Sequence, residues 1–285
     1  MKYFRLLVCI HLAFASACLV NGQSQSNASK KFDPTWSSIV SQYEVPAWYY
    51  IVSVAKHHNV FSMYNSYINP WNSVKMEPPR NIIGELPTAV KSNGLHVGLS
   101  SYRAGHWWFF EGGRNITGDL QDTAYYSLYG SARPYRKDLS TAEGKSFLQD
   151  WLARFNELVD TYHSELVYVD MVGSWFIGFQ PYMQQFVAHC YNNAEERKSL
   201  VANNYNTDIP VKGAGVFDIE RDVSDTARAD FWQTDISFGA KSWSYIRNEN
   251  FKSPKQLINE LVDIVNKNAT YLLNINPKAD GTISL

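Results

Sequence analysis

Two carboxylates in this sequence are candidates for cleaving a glycosidic bond. Asp170 directly follows the apolar run 166–169, and Glu220 lies at the end of a different strand. In a parallel barrel, polar residues just beyond the carboxyl ends of strands surround the active site. Glycoside hydrolysis uses one carboxylate to attack or to activate water and another to protonate the leaving oxygen. The alternatives are that Asp170 caps a helix and that Glu220 pairs on the surface with Arg221 or Arg228.

A histidine pair, His57 and His58, follows the first predicted strand. Such a pair is more often hydrogen-bonded within the fold than bound to a metal. No third ligand follows at a fixed spacing, so we expect no metal and no other cofactor. The sequence has no G-x-S-x-G nucleophile elbow, and Cys190 lacks the surroundings of a catalytic thiol. Acyl transfer is therefore poorly supported.

The composition indicates a large folded domain that is rich in aromatic residues. Of the 285 residues, 45% are hydrophobic and 15% are aromatic, with 9 Trp and 18 Tyr, which excludes a disordered chain. Such a surplus fits sugar or peptide recognition, although a large core also uses aromatic residues. Three aromatic residues near the carboxylates are candidates to stack on a sugar ring: Tyr168, Trp175 and Trp232.

The first 22 residues have the pattern of a secretory signal peptide, and a polar segment, 23–31, follows them. Lys2 and Arg5 precede an apolar stretch that is too short to span a membrane, and no later stretch is long enough. We therefore predict secretion, with the lysosome or a vacuole as the alternative destination. Cleavage leaves 24 basic against 27 acidic residues and no basic run, so nucleic acid is not an expected partner.

Secretion would expose the protein to conditions that favour disulfide formation and N-glycosylation. Cys190 is the one cysteine beyond the predicted cleavage site, so no intrachain disulfide is expected. We predict a small buried side chain there, with an intermolecular bridge as the alternative. Three sequons predict glycosylation at Asn27, Asn115 and Asn268, although the last lies between a predicted helix and a predicted strand.

Strands and helices alternate along the rest of the chain, which predicts a parallel sheet covered by helices. The six predicted strands are 48–55, 95–101, 166–169, 200–203, 231–236 and 271–275. The predicted helices are 81–92, 143–162, 180–192 and one beginning at a cap formed by Ser253, Pro254 and Gln256. At this length a parallel (β/α) barrel of the TIM type is favoured over an open doubly wound sheet. No glycine-rich phosphate loop follows a strand, which argues against nucleotide binding.

Short segments from about Phe32 to the C-terminus resemble, in order, the motifs of the glycoside hydrolase family 29 α-L-fucosidases. Residues 55–61 resemble "AKHHDGF", 79–86 resemble "KRDLVGEL", and 156–170 resemble "ELxxxYxPxxxWFDG". Further segments that follow the family pattern are 71–74, 94–99, 215–221, 232–235, 242–245 and 271–277.

The resemblance implies an exo-acting retaining hydrolase that removes terminal α-L-fucose from glycans, with residues 32–285 as the catalytic barrel domain. It implies that Asp170 is the nucleophile and that Glu220 is the acid/base. It also implies that His57 and His58 hold fucose hydroxyls and that Tyr168 lines the fucose site.

The sequence also departs from the family pattern. The family's early "HWG" and "EWY" segments have no counterpart, so the barrel is predicted to be incomplete at its N-terminal side, and no C-terminal β-sandwich is expected. Asn203, Asn204 and Tyr205 stand in place of "NDR", and Ser100 or Ser101 replaces a strand-end tyrosine. A secreted glycan-binding or matrix protein without catalysis therefore remains the alternative.

An incomplete parallel barrel leaves a strand edge open. An exposed edge beside 48–55 would promote aggregation unless something covers it. The predicted cover is a partner chain in an oligomer or the segment 32–43.

Overall fold

The computed structural model describes residues 32–46, 50–56, 61–76, 79–130, 133, 138–173 and 175–283. The chain divides into two compact units: the first unit holds residues 24–215, and the second unit takes in residues 216–285. None of the helices in the described ranges is long and apolar enough to cross a lipid bilayer. The prediction that 32–285 forms one barrel domain stays a prediction.

Four parallel strands lie side by side in chain order in the first unit. They are β1 (Tyr50–Lys56), β2 (His96–Ser101), β3 (Leu166–Val169) and β4 (Ala202–Tyr205). The helices of this unit are α1 (Trp36–Gln42), α2 (Ile82–Lys91), α3 (Tyr126–Tyr129), α4 (Ala142–Tyr162) and α5 (Gln180–Glu196). Four short 3-10 helices lie between Arg103 and Tyr125. The alternation of parallel strands and helices is as predicted.

The described residues of the second unit form three parallel strands and one helix. They are β5 (Val216–Glu220), β6 (Trp232–Ser237), α6 (Pro254–Asn266) and β7 (Ala269–Asn274). The structure has one strand more than the six predicted, because β5 was not among those ranges, although Glu220 was expected at a strand end. The sequence of β5 alternates apolar and acidic residues, whereas strands of a parallel sheet covered on both faces are usually continuous apolar runs.

The predicted helix face of α4 is confirmed by the core of the first unit. Trp151 and Phe155 are fully buried, with ring centroids 4.4 Å apart, and Trp151 also packs edge-on against Phe179 at 4.7 Å. The helix begins where the Thr141 hydroxyl accepts a hydrogen bond from the Gly144 backbone N–H, 3.1 Å away. These contacts pack α4 against α5 and the outer face of β3.

The centre of β2 is fitted tightly between its two neighbours. A Cβ atom at Gly98 would come within 2.9 Å of Val52 on β1 and within 3.0 Å of Leu166 on β3. Only a residue without a side chain fits there, so Gly98 allows β2 to lie between two bulky residues on the same face.

The segment 32–43 packs on α5. The backbone N–H and C=O of Phe32 both bond to the side-chain amide of Asn192, each at 2.7 Å, and Tyr43 stacks on Tyr191 with centroids 4.7 Å apart. Next to Tyr191, Cys190 is buried and free, as predicted, and burial raises the pKa of its thiol to about 12. The predicted oligomer that covers the edge beside β1 stays a prediction.

Candidate active site

Asp170 lies at the carboxyl end of β3, where the chain turns sharply. Its carboxylate is buried, and Oδ1 accepts two hydrogen bonds, from the Met171 backbone N–H at 2.6 Å and from the Asn206 side-chain amide at 2.9 Å. Met171 adopts a positive φ of 63°, a conformation that is uncommon outside glycine. The backbone turn and the neighbouring strand end together fix the orientation of the carboxylate.

Asn206 is a site residue that the sequence did not reveal. It follows β4 by one residue, so it reaches Asp170 from the adjacent strand end. Its position just beyond the carboxyl end of a parallel strand was the available signal.

A row of polar side chains crosses the sheet at the level of Tyr168, two residues before Asp170. Ser100, Tyr168 and Asn204 are register partners on β2, β3 and β4, and all three are buried. Because side chains alternate along a strand, this row shares its face with Asp170, while Val167 and Val169 point to the helices. The Ser100 hydroxyl has no hydrogen-bond partner among the described residues. The face around Asp170 therefore offers polar groups that suit a hydroxylated ligand.

Glu220 lies at the carboxyl end of β5, in the second unit, and is exposed. Asp235 on β6 is its register partner, so two carboxylates stand side by side on adjacent strands. Of the two arginines considered as partners of Glu220, Arg221 lies over the Trp243 ring at 4.2 Å, and Arg228 pairs with Asp230 at 2.9 Å. The separation of the Asp170 and Glu220 carboxyl groups, expected to be about 5–5.5 Å in a retaining enzyme, stays a prediction.

Trp232 lies in the core of the second unit. Its ring is fully buried against Ile264 and Tyr271, and its indole N–H donates to the Lys267 carbonyl at 2.9 Å. A ring without exposed surface has no face for a sugar, so the structure does not support the predicted stacking role. The strand 231–236 was predicted correctly, but side chains alternate along a strand, and Trp232 lies on the face that packs against α6.

Of the remaining candidate residues, some lie outside the described part of the chain and others are exposed on the surface. His57, His58 and Asn27 lie outside the described residues. Asn115 is exposed, and Asn268 is also exposed, although its amide N–H group donates to the carbonyl of Arg228 at 3.2 Å. Within the described ranges, no three His, Cys, Asp or Glu side chains are grouped in a way that could hold a metal ion.

Comparison with known proteins shows to which family this arrangement belongs. The family model for alpha-L-fucosidase matches residues 25–285. The chain belongs to the alpha-L-fucosidase family. Among relatives in this family, the alpha-L-fucosidase of Branchiostoma floridae is 28% identical over 248 residues, which is 82% of this chain and 49% of that protein. The human tissue alpha-L-fucosidase is 26% identical over 247 residues, 82% of this chain and 47% of the relative.

The fold is that of a solved family member. The alpha-fucosidase of Thermotoga maritima in complex with fucose matches with a TM-score of 0.58 and 26% identity, over 90% of this chain and 53% of that structure. This likeness confirms the predicted parallel (β/α) barrel of the TIM type in incomplete form, with seven strands among the described residues where a full barrel has eight. The chain spans about half the length of the fucosidase relatives it matches.

Proposed function

We propose that this protein hydrolyses terminal α-L-fucose from glycans with retention of anomeric configuration. The observation that supports this most is the geometry of Asp170, a buried carboxylate at the end of β3 with Oδ1 fixed by two N–H donors. A nucleophile must be held in one orientation before the substrate arrives, because orientation removes much of the entropic cost of the reaction. Membership of the alpha-L-fucosidase family supports the choice of fucose.

The proposed reaction has two displacements. Asp170 attacks the anomeric carbon of fucose while Glu220 donates a proton to the leaving glycosidic oxygen, which gives a glycosyl ester on Asp170 and a free aglycone. Glu220 then removes a proton from water, and that water displaces Asp170 from the anomeric carbon. Tyr168, on the same face as Asp170, and the two histidines His57 and His58 are proposed to bind the sugar hydroxyls. The chain's own carboxylates carry both steps, and the proposal includes no cofactor.

A time course on a p-nitrophenyl α-L-fucoside tests this proposal. We expect release of p-nitrophenol, and proton NMR at early times should show the α-anomer of fucose before mutarotation produces the β-anomer. Early β-fucose would contradict retention. A purified chain without any turnover would contradict the catalytic proposal and favour the alternative, a fucosidase-like protein that binds glycans.

The role of Glu220 predicts a dependence on the leaving group. Glu220→Gln cannot donate a proton, so we expect kcat/KM to fall by about 10²–10⁴-fold on a fucosylated oligosaccharide. An aryl fucoside with an acidic phenol needs little proton donation in the first step and should lose much less in kcat/KM. The measurement is kcat/KM for both substrates with wild type and variant.

The matched control for this prediction is Asp222→Asn, at an exposed carboxylate two residues beyond Glu220. It should leave the ratio of the two kcat/KM values unchanged. Equal losses on both substrates with Glu220→Gln would show that Glu220 is not the acid, and Asp235, its register partner, would become the next candidate.

We also propose that the protein enters the secretory pathway and carries glycans at exposed sequons. The charged and apolar pattern of residues 1–22 supports the first point. The exposure of Asn115 supports the second.

A further inference from the structure

Exposed aromatic side chains are concentrated in the loops that follow β1, β2 and β3. Six aromatic residues are prominently exposed in the described parts of the chain, and five of them lie in these three loops. We call these five the aromatic rim: Tyr67, Phe109, Tyr125, Tyr126 and Trp175. Exposing aromatic rings to water is unfavourable in free energy, so a concentration of exposed rings at one end of the strands indicates a binding site for a ligand.

Contacts between aromatic residues join the three loops. In the loop after β1, the Trp71 indole N–H donates to the Ser127 hydroxyl at 3.0 Å, and the Trp71 ring lies 6.3 Å from that of Tyr125. The loops after β2 and β3 meet where Trp108 and Phe176 pack with centroids 5.3 Å apart. The aromatic rim is therefore supported by loops that contact one another rather than by independent chain segments.

The aromatic rim is also continuous with the loop that begins at Asp170. The Trp175 ring rests directly on Gly173, where a Cβ atom would come within 2.3 Å of the ring. Trp175 then contacts Phe176, which continues the aromatic contacts to Trp108. In parallel α/β folds the ligand lies beyond the carboxyl ends of the strands, which is where all three loops begin.

We infer that the aromatic rim binds the sugar units beyond the terminal fucose, which makes the protein selective for fucosylated oligosaccharides over simple fucosides. This inference rests on the proposed function. The C–H groups of a pyranose ring carry partial positive charge and pack on the negative face of an aromatic ring, while tyrosine hydroxyls at the edge bond to sugar hydroxyls. Phe109 is 47% exposed and Tyr126 is 55% exposed, so about half of each residue is open to a ligand while the rest is packed.

Calorimetry on the full chain tests the inference. The chain carries Asp170→Asn so that ligands are not consumed, and it is titrated with L-fucose and with the trisaccharide 2′-fucosyllactose. We expect the trisaccharide to bind more tightly than fucose. Tyr126→Leu and Phe109→Leu keep apolar area but remove the ring, and each should weaken the trisaccharide by about three- to ten-fold, more than it weakens fucose. Tyr126→Phe keeps the ring and should retain most of the affinity.

The control is Ile258→Ala, an equally exposed side chain on α6, which should change neither affinity. Leu variants that bind the trisaccharide as tightly as the parent would overturn the inference, and so would equal losses for fucose and trisaccharide. Trisaccharide binding no tighter than fucose binding would also overturn it. Failure of the proposed function looks different: the wild-type chain would release neither p-nitrophenol from the aryl fucoside nor fucose from 2′-fucosyllactose, whatever the affinities of the rim variants.

Discussion

Asp170→Asn should lower kcat for an aryl α-L-fucoside by roughly 10⁴–10⁶-fold, the range expected when a nucleophile is removed. Asparagine has nearly the same shape and can still accept the hydrogen bonds from the Met171 backbone and the Asn206 amide. The fold is therefore expected to survive, and the loss reflects the missing nucleophilic oxygen anion. The measurement is initial p-nitrophenol release at enzyme concentrations high enough to detect the residual rate.

Two further variants separate a nucleophile from a structural acid. Asp170→Gly opens space beside the anomeric carbon, so added azide should attack that carbon in place of the carboxylate and restore turnover with β-fucosyl azide as product. Asp160→Asn on α4 is the control. Its carboxylate is exposed and contacts His189 at 2.7 Å, and its replacement should leave kcat unchanged. Full activity in Asp170→Asn, or no effect of azide on an otherwise folded Asp170→Gly, would contradict the nucleophile assignment.

How far the sequence predicts this fold depends on how apolar each element is. The strand 166–169 was predicted to the residue and α4 to within one residue, because their apolar patterns are strong, whereas the predicted end of α5 was four residues too early. β4 was predicted two residues too early and β5 was not predicted. Both carry polar side chains inside the sheet: Asn203 and Asn204 in β4 and Asp218 in β5 are buried. Buried polar residues give these two strands the composition of a loop, which hides them from a search for apolar runs.

The residues of the candidate site were also predicted only in part. Placement at a strand end made Asp170 a candidate, because that signal depends on chain order alone, and the resemblance to the fucosidase motifs supplied its predicted role. Asn206 was missed because its role depends on the distance between two strand ends, and Trp232 was misassigned because sequence alone did not show which face of β6 it occupies. The sequence therefore predicts which residues lie at strand ends more reliably than which side chains contact them.

A buried group of charges lies outside the site and bears on stability. Arg103, just beyond β2, and Arg154, on α4, are both buried and both donate to Asp150, at distances of 2.5–2.9 Å. Burial raises the pKa of Asp150, but the two guanidinium groups lower it by more, so its net pKa lies below the ordinary value. Burial also lowers the pKa of Arg103 to about 10. One carboxylate thus compensates two buried positive charges.

Asp150→Asn should lower the free energy of unfolding by about 3–5 kcal/mol at pH 7, because it leaves two buried guanidinium groups without a counter-charge. Urea denaturation monitored by tryptophan fluorescence measures the change. Asp160→Asn makes the same chemical change at an exposed position of the same helix and should cost about 1 kcal/mol or less.

The pH dependence of the stability difference between wild type and Asp150→Asn tests the same explanation. Because the folded-state pKa of Asp150 lies below the unfolded value of about 3.9, its stabilising contribution is complete above that value and is lost as the pH falls through the folded pKa. The gap between wild type and Asp150→Asn should therefore be constant from pH 7 to about pH 5 and should shrink below about pH 4. If Asp150→Asn lowers the free energy of unfolding no more than Asp160→Asn does, or if its effect persists unchanged in acid, the charge of Asp150 does not stabilise the two buried arginines.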